Sequence, residues 1–363
     1  MLERWTHTLR TWPYTFGVLL AAGIGLTAIG LSNYLGIALK DPEGFLGPAY
    51  VRLPLIGLFF FALGVIPMAI RRAGWRNIWR GTKEIVHDEW SWSRVGHIAT
   101  GLTTFYICYV SYRNIKGFLP ILREGVNFDT MLSGWDYWLM FGNHPATLLH
   151  DLLGTGISAQ VLATVYVSYL MLIPLTLGAF LVLNRDYSLG AWYATTLSLN
   201  WVLGTISYYI FPSLGPAYSS PSMFADLPDT GVTNLQYSLF VNAAQNLENP
   251  TQAPIWGIAA FASLHVSVTF TAVLFFQRTD QAKWAQIVAW VYFVLTVIAT
   301  VYFGWHFIAD DVAGAFIGWI SVALGGWATG NGFWHQKHHK VQLTAEGDDA
   351  GDGSASSTVA NPA

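Results

Sequence analysis

The chain has 363 residues, of which 53% are hydrophobic and only 11% charged, with a mean hydropathy of +0.41. An ordinary soluble globule of this length carries more charge, so the composition excludes that class and points to an all-α integral membrane protein. The single cysteine, Cys108, excludes an internal disulfide, and a net charge of −3 gives no reason to expect a nucleic-acid partner.

A membrane-spanning helix needs about 20 mostly apolar residues. In chain order, apolar runs at residues 14–38, 51–70, 95–115, 158–183, 188–211, 256–277, 284–303 and 305–328 predict a polytopic bundle of about eight transmembrane helices. The first run has no small-residue cleavage site, so no cleavable signal peptide is expected. Residues 1–94 read as two N-terminal helices with a basic cytoplasmic loop, and 95–330 as a six-helix core. Residues 331–363, acidic, small and without apolar periodicity, read as a disordered cytoplasmic tail. Between the third and fourth runs, "FDTMLSGWDYWLMFGNHPATLLHDLL" is too polar to span and is expected along the outer interface.

Cytoplasmic segments collect Lys and Arg. With both termini inside, 13 of the 18 basic residues fall on the cytoplasmic side, and the outer segment from Phe211 to Pro254 has none. This orientation in the cell membrane puts His306 and the basic trio Arg113, Lys116 and Arg123 at the outer face.

The chemistry concentrates in "YFGWHFIADDVAG", residues 302–314. Ionisable groups among apolar spans are costly, which makes them functional candidates. His306 and Asp310 stand at i and i+4, on one helical face. A carboxylate on one imidazole nitrogen fixes the tautomer and leaves the other as nucleophile or base. A second histidine, His265, follows Ser263 in "FASLHVSVTF" near the outer end of the sixth run. Two histidines, one backed by a carboxylate, suit phosphoryl transfer: one attacks phosphorus and the other protonates the leaving oxygen. Arg113 and Lys116 in "SYRNIKGFLP" are candidates to bind phosphate, and so is Arg123.

These residues resemble the type 2 phosphatidic acid phosphatase superfamily, in the branch of the inositol phosphorylceramide synthases. Of its three signatures, K-x6-R-P, P-S-G-H and S-R-x5-H-x3-D, the third is matched by His306 and Asp310. The second is matched loosely by "ASLH" at 262–265, and the first by Lys116 and Arg123, with Glu124 in place of the proline. "FPSLGPAY" at 211–218, "DYWLMFGNHPATLLHDLL" and "VYVSYL" also look like this branch, and the resemblance covers roughly 105–328. It implies a phosphatase-like six-helix core. His306 would form a phosphohistidine, Asp310 would orient it, His265 would protonate the leaving alcohol, and Ser263 would hydrogen-bond the phosphate. The motif's Ser-Arg falls on Ala299 and Thr300, so its arginine is absent and Arg113 and Lys116 are the expected substitutes.

The expected function is a metal-independent lipid phosphatase or phosphotransferase, acting without cofactor on a phospholipid or polyprenyl phosphate at the outer face. The group goes either to water or, as in the synthases, to an acceptor alcohol, and the motifs do not separate the two. A non-catalytic lipid binder or transporter is the reading from another class. Transporters usually carry internal repeats, and none is evident here. Asp311 ranks behind Asp310. His144, His150 and Asp136 are expected at the surface. His335, His338 and His339 read as a basic, lipid-proximal end rather than a metal cluster.

Overall fold

The computed structural model describes residues 12–44, 47–248 and 257–332. Arg4, Arg10, Lys337, Lys340, the three histidines at 335, 338 and 339, and the expected tail beyond residue 332 lie outside the described residues.

The protein is all-helical. Its helices are α1 (Thr15–Leu35), α2 (Ala49–Ala73), α3 (Ile78–Glu89), α4 (Trp92–Leu122), α5 (Asp129–Leu139), α6 (Pro145–Leu153), α7 (Ile157–Gly178), α8 (Tyr187–Ile210), α9 (Pro216–Ser219), α10 (Gly231–Glu248), α11 (Leu264–Arg278), α12 (Lys283–Tyr302) and α13 (Ile308–Ala328). A π-helical turn, Ala179–Leu183, extends α7. A two-residue antiparallel pairing, Glu43–Gly44 with Gly47–Pro48, joins α1 to α2.

Each of the eight apolar runs coincides with a helix, but five helices among the described residues are long and apolar enough to cross a membrane: α1, α2, α7 with its π turn, α12 and α13. The other three differ for physical reasons. Helix α8 sits at the centre of the bundle, packed on α4, α11 and α13, and every residue from Gly190 to Trp201 is buried. A helix that touches protein on all sides need not resemble lipid, and α8 uses Thr195, Thr196, Ser198 and Asn200 inside the bundle. The 31-residue α4 carries Arg94 and His97 in its first turns. The sixth run was expected to begin its helix at 256, yet α11 starts at Leu264 and has 15 residues, because Ser263 caps it.

Small and hydroxyl residues set the helix spacing. On α13, Gly314 packs against the Ser263 carbonyl, and a Cβ on Gly318 would lie 2.6 Å from the Ser267 carbonyl of α11. Backbones approach this closely only where side chains are absent, the usual device for packing helices in lipid. The α8–α11 contact is polar: Asn200 Nδ2 donates to Thr271 Oγ1 at 3.1 Å, and the Ser267 hydroxyl bonds Asn200 Oδ1. Trp192 of α8 donates its indole N–H to the Val322 carbonyl of α13 at 2.9 Å.

Helices α5 and α6, with 11 and 9 residues, are too short to span. They bury Asp129, Leu132 and Asp136 against the bundle and expose Trp135, Trp138, Phe141 and Leu152. Gly318→Val should force α11 and α13 apart and lower stability by about 1–3 kcal/mol. Thermal unfolding of the detergent-solubilised variant measures this, and a melting temperature equal to the wild type's would show that the seam is not tight.

Candidate active site

Two helices begin at the same place. Residues 257–263 enter as irregular chain, and Ser263 then caps α11 by accepting the Val266 N–H. The Ser263 N–H in turn donates to the Asp310 carbonyl of α13 at 2.9 Å. This backbone bond ties the two helix starts together. It places His265 in the first turn of α11 beside His306, two residues ahead of α13. Their ring centroids are 5.9 Å apart, with planes at 56°. Both helix N-termini face this point, which favours negative charge there.

His306 Nδ1 lies 3.4 Å from Asp310 Oδ2, with both side chains buried. Asp310 Oδ2 also accepts the Phe307 N–H at 3.0 Å. The imidazole–carboxylate gap is a little beyond the about 2.6–3.2 Å of a hydrogen bond in a catalytic pair. Four buried polar atoms without a hydrogen-bond partner gather here: Trp305 Nε1, His306 Nδ1, Asp310 Oδ1 and Asp311 Oδ1. An unsatisfied buried group costs about 1–3 kcal/mol, and a concentration of them is unusual for a region whose only task is packing.

The surroundings of the histidines are aromatic. Tyr166 of α7 stacks on His265 at 4.5 Å and, on its other side, lies parallel to Trp305 at 5.3 Å. Tyr169 contacts the same imidazole at 4.4 Å and donates its hydroxyl to the Leu264 carbonyl. Sequence reasoning missed these tyrosines. Their i, i+3 spacing in "VYVSYL" was the available signal, since it puts both on one helical face.

The cationic and hydroxyl candidates separate. Lys116 lies within electrostatic reach of both histidines, its Nζ 5.1 Å above the Tyr208 ring. Arg113 is one turn earlier on α4, close enough to act on Lys116. Arg123 is the C-cap of α4. Ser263 is fully buried and faces the Asp311 carboxylate. Thr300, at the position of the motif arginine, donates its hydroxyl to Asp311 Oδ2 at 3.0 Å. A hydroxyl–carboxylate pair thus occupies the place of a cation.

Asp136, expected at the surface, is instead buried. Its carboxylate accepts the Ile308 N–H at 3.1 and 3.2 Å, anchoring α5 to the first turn of α13. Burial, together with the nearby Asp310, raises its carboxyl to about 6. His150 of α6 is held as well, its Nε2 being 2.8 Å from the Tyr302 carbonyl. Tyr302 returns a bond from its hydroxyl to the Gly154 carbonyl at 2.7 Å. Both corrections have one cause: α5 and α6 turn Asp129, Asp136 and His150 toward the bundle while Trp135, Trp138 and Leu152 face out.

An all-helical bundle with apolar spans, and a histidine–carboxylate pair set against a second histidine, mark a membrane protein with a buried cluster of ionisable side chains. Residues 130–324 match the family model of the PAP2 superfamily, and the chain belongs to that superfamily. Its members are generally phosphatase-type enzymes, phosphatases or phosphotransferases of lipid phosphates. The matched segment includes both histidines and begins after Arg113, Lys116 and Arg123. No curated protein and no solved structure gave a significant match.

The raised Asp136 carboxyl gives a pH signature. An unfolded aspartate titrates near about 3.9. Between that value and about 6 the folded state holds a proton that the unfolded state has lost, so stability falls as pH rises through this window. Asp136→Asn should flatten that segment of the curve. Thermal melts from pH 4 to 7 compare the two proteins, and parallel curves would show that Asp136 does not titrate there.

Proposed function

We propose that this protein transfers a phosphoryl-containing group from a lipid through a phosphohistidine on His306. The observation that carries the reading is the facing pair of histidines with a carboxylate behind only one of them. Asp310 lies against Nδ1 of His306, which leaves Nε2 to attack phosphorus. The new N–P bond forms as the P–O bond to the lipid alcohol breaks, and the electron pair goes to the departing oxygen. His265 supplies the proton to that oxygen. In the second step an acceptor O–H loses its proton to His265, its oxygen bonds phosphorus, and the N–P bond breaks. Lys116, with Arg113 and Arg123 behind it, and Ser263 supply positive charge and hydrogen bonds to the phosphoryl oxygens. The scheme needs no metal ion or organic cofactor.

The acceptor is either water or an alcohol. Thr300 and Asp311 favour the alcohol, in the manner of the inositol phosphorylceramide synthases. The site lacks one cation and holds an extra buried carboxylate, so a phosphodiester with one negative charge suits it better than a doubly charged monoester. The "FPSLGPAY" loop at 211–218 is a further likeness to that branch. For the membrane setting, α4, α8 and α11 would complete eight spans with both termini in the cytoplasm and the histidines at the outer face. The distribution of Lys and Arg supports this orientation. A C-terminal reporter active only on the outer side of the membrane would overturn it.

His306→Ala should abolish both turnover and labelling by substrate phosphate. His265→Ala should slow expulsion of a lipid alcohol while a nitrophenyl ester, with its good leaving group, recovers part of the rate. Rapid-quench labelling separates the roles. Label retained in His306→Ala but lost in His265→Ala would reverse them, and no label in the wild type would favour direct attack by water.

A further inference from the structure

Buried phenols ordinarily give their proton to a nearby acceptor. Several tyrosines in this bundle do: Tyr193 to Thr176 Oγ1, Tyr209 to the Ile115 carbonyl, Tyr169 to the Leu264 carbonyl and Tyr218 to the Gln236 carbonyl. Three buried tyrosines around the histidines break the pattern. Tyr112 of α4 and Tyr208 of α8 face each other with ring centroids 6.3 Å apart, which leaves room for at most one bond between their hydroxyls. Two hydroxyls offer two protons and one mutual bond uses only one, so a donor is left over. The Tyr166 hydroxyl has no protein hydrogen-bond partner among the described residues.

All three lie at the site. Tyr166 is stacked between Trp305 and His265 and is electrostatically coupled to Asp311. Tyr208 lies under Lys116 and is coupled to Asp310. Tyr112 stands one turn before Lys116 on α4, its ring stacked on Trp201 at 5.0 Å. The spare donors therefore lie beside His265, through Tyr166, and beside Lys116, through Tyr208 and its neighbour Tyr112, on three different helices.

We propose that the Tyr166 hydroxyl and the spare hydroxyl proton of the Tyr112–Tyr208 pair bond the non-bridging oxygens of the phosphoryl group held between His306 and His265. They do with neutral donors what the absent arginine at position 300 would do with charge. Neutral donors suit this site for a physical reason. An arginine at position 300 would meet Asp311, which Thr300 already bonds, and a charged pair would hold the guanidinium away from phosphate. A phenol is not captured in this way and still gives a strong bond to an anionic oxygen.

This assignment rests on the phosphoryl-transfer reading, and one set of measurements distinguishes the two. The probe is inorganic vanadate, a phosphoryl mimic, titrated into the full chain in detergent alongside turnover of lipid phosphates. Tyr166→Phe and Tyr208→Phe, each removing one oxygen, should weaken vanadate binding and kcat/KM about tenfold or more. Tyr193→Phe, which loses a hydroxyl remote from the histidines, should do neither. Wild-type affinity and turnover in both site variants would overturn the hydroxyl assignment alone. Weakened vanadate binding in a protein that turns over no lipid phosphate would uphold it and overturn the phosphotransfer reading. No vanadate binding by the wild type would overturn both.

Discussion

The carboxylate of Asp129 holds the segments around the two histidines together. It is buried at the start of α5 and accepts the backbone N–H groups of Leu214 and Gly215 at 2.9–3.0 Å. A carboxylate taken out of water must find several donors, and here they come from a loop more than eighty residues away. That loop then reaches both histidine segments. Ser213 accepts the Ala260 N–H with its carbonyl and the Phe261 N–H with its hydroxyl at 3.0 Å, fixing the approach to His265. The Ala217 N–H donates to the Gly304 carbonyl at 2.8 Å, fixing the approach to His306. Gly215 has φ +92, and a Cβ on it would lie 2.5 Å from the Trp305 carbonyl. Only glycine fits both that dihedral and that contact.

The loop accounts for an arrangement that neither helix could make alone. His265 and His306 lie 41 residues apart in sequence, one in the first turn of α11 and the other two residues ahead of α13. The Ser263-to-Asp310 backbone bond sets their depth, and Tyr166 joins the two segments by stacking on His265 and on Trp305, the residue before His306. The small residues of α13 make the first of these possible by letting α11 lie against it.

Electrostatically the region around the histidines is rich in carboxylates. Asp129, Asp136, Asp310 and Asp311 are all buried near one another. Much of this negative charge is absorbed by backbone N–H groups of Leu214, Gly215, Phe307 and Ile308. Asp129, Asp136 and Asp310 thus anchor the loop at 214–215 and the start of α13.

The sequence by itself determined the membrane class and the approximate positions of the long helices, because hydropathy is a local property; it put His306 and Asp310 on one helical face, whereas the fold leaves His306 two residues ahead of α13 and brings its Nδ1 to 3.4 Å from Asp310 through the turn that caps the helix. The approximate positions of His265 and of the interfacial segment were legible for the same reason. Tertiary structure decided what the sequence left open. Helix α8 reads as another apolar run, yet its Thr and Asn residues show that it packs on protein, and packing is invisible to a window of residues. Asp136 and His150 read as surface groups because a polar residue on an amphipathic helix gives no sign of whether its polar face meets water or protein. Thr300 reads as a missing arginine, and only the folded chain supplies Asp311 as its partner. The surplus of the Tyr166 hydroxyl is likewise a property of the fold, since a hydroxyl is in surplus only relative to the acceptors that the fold brings within reach.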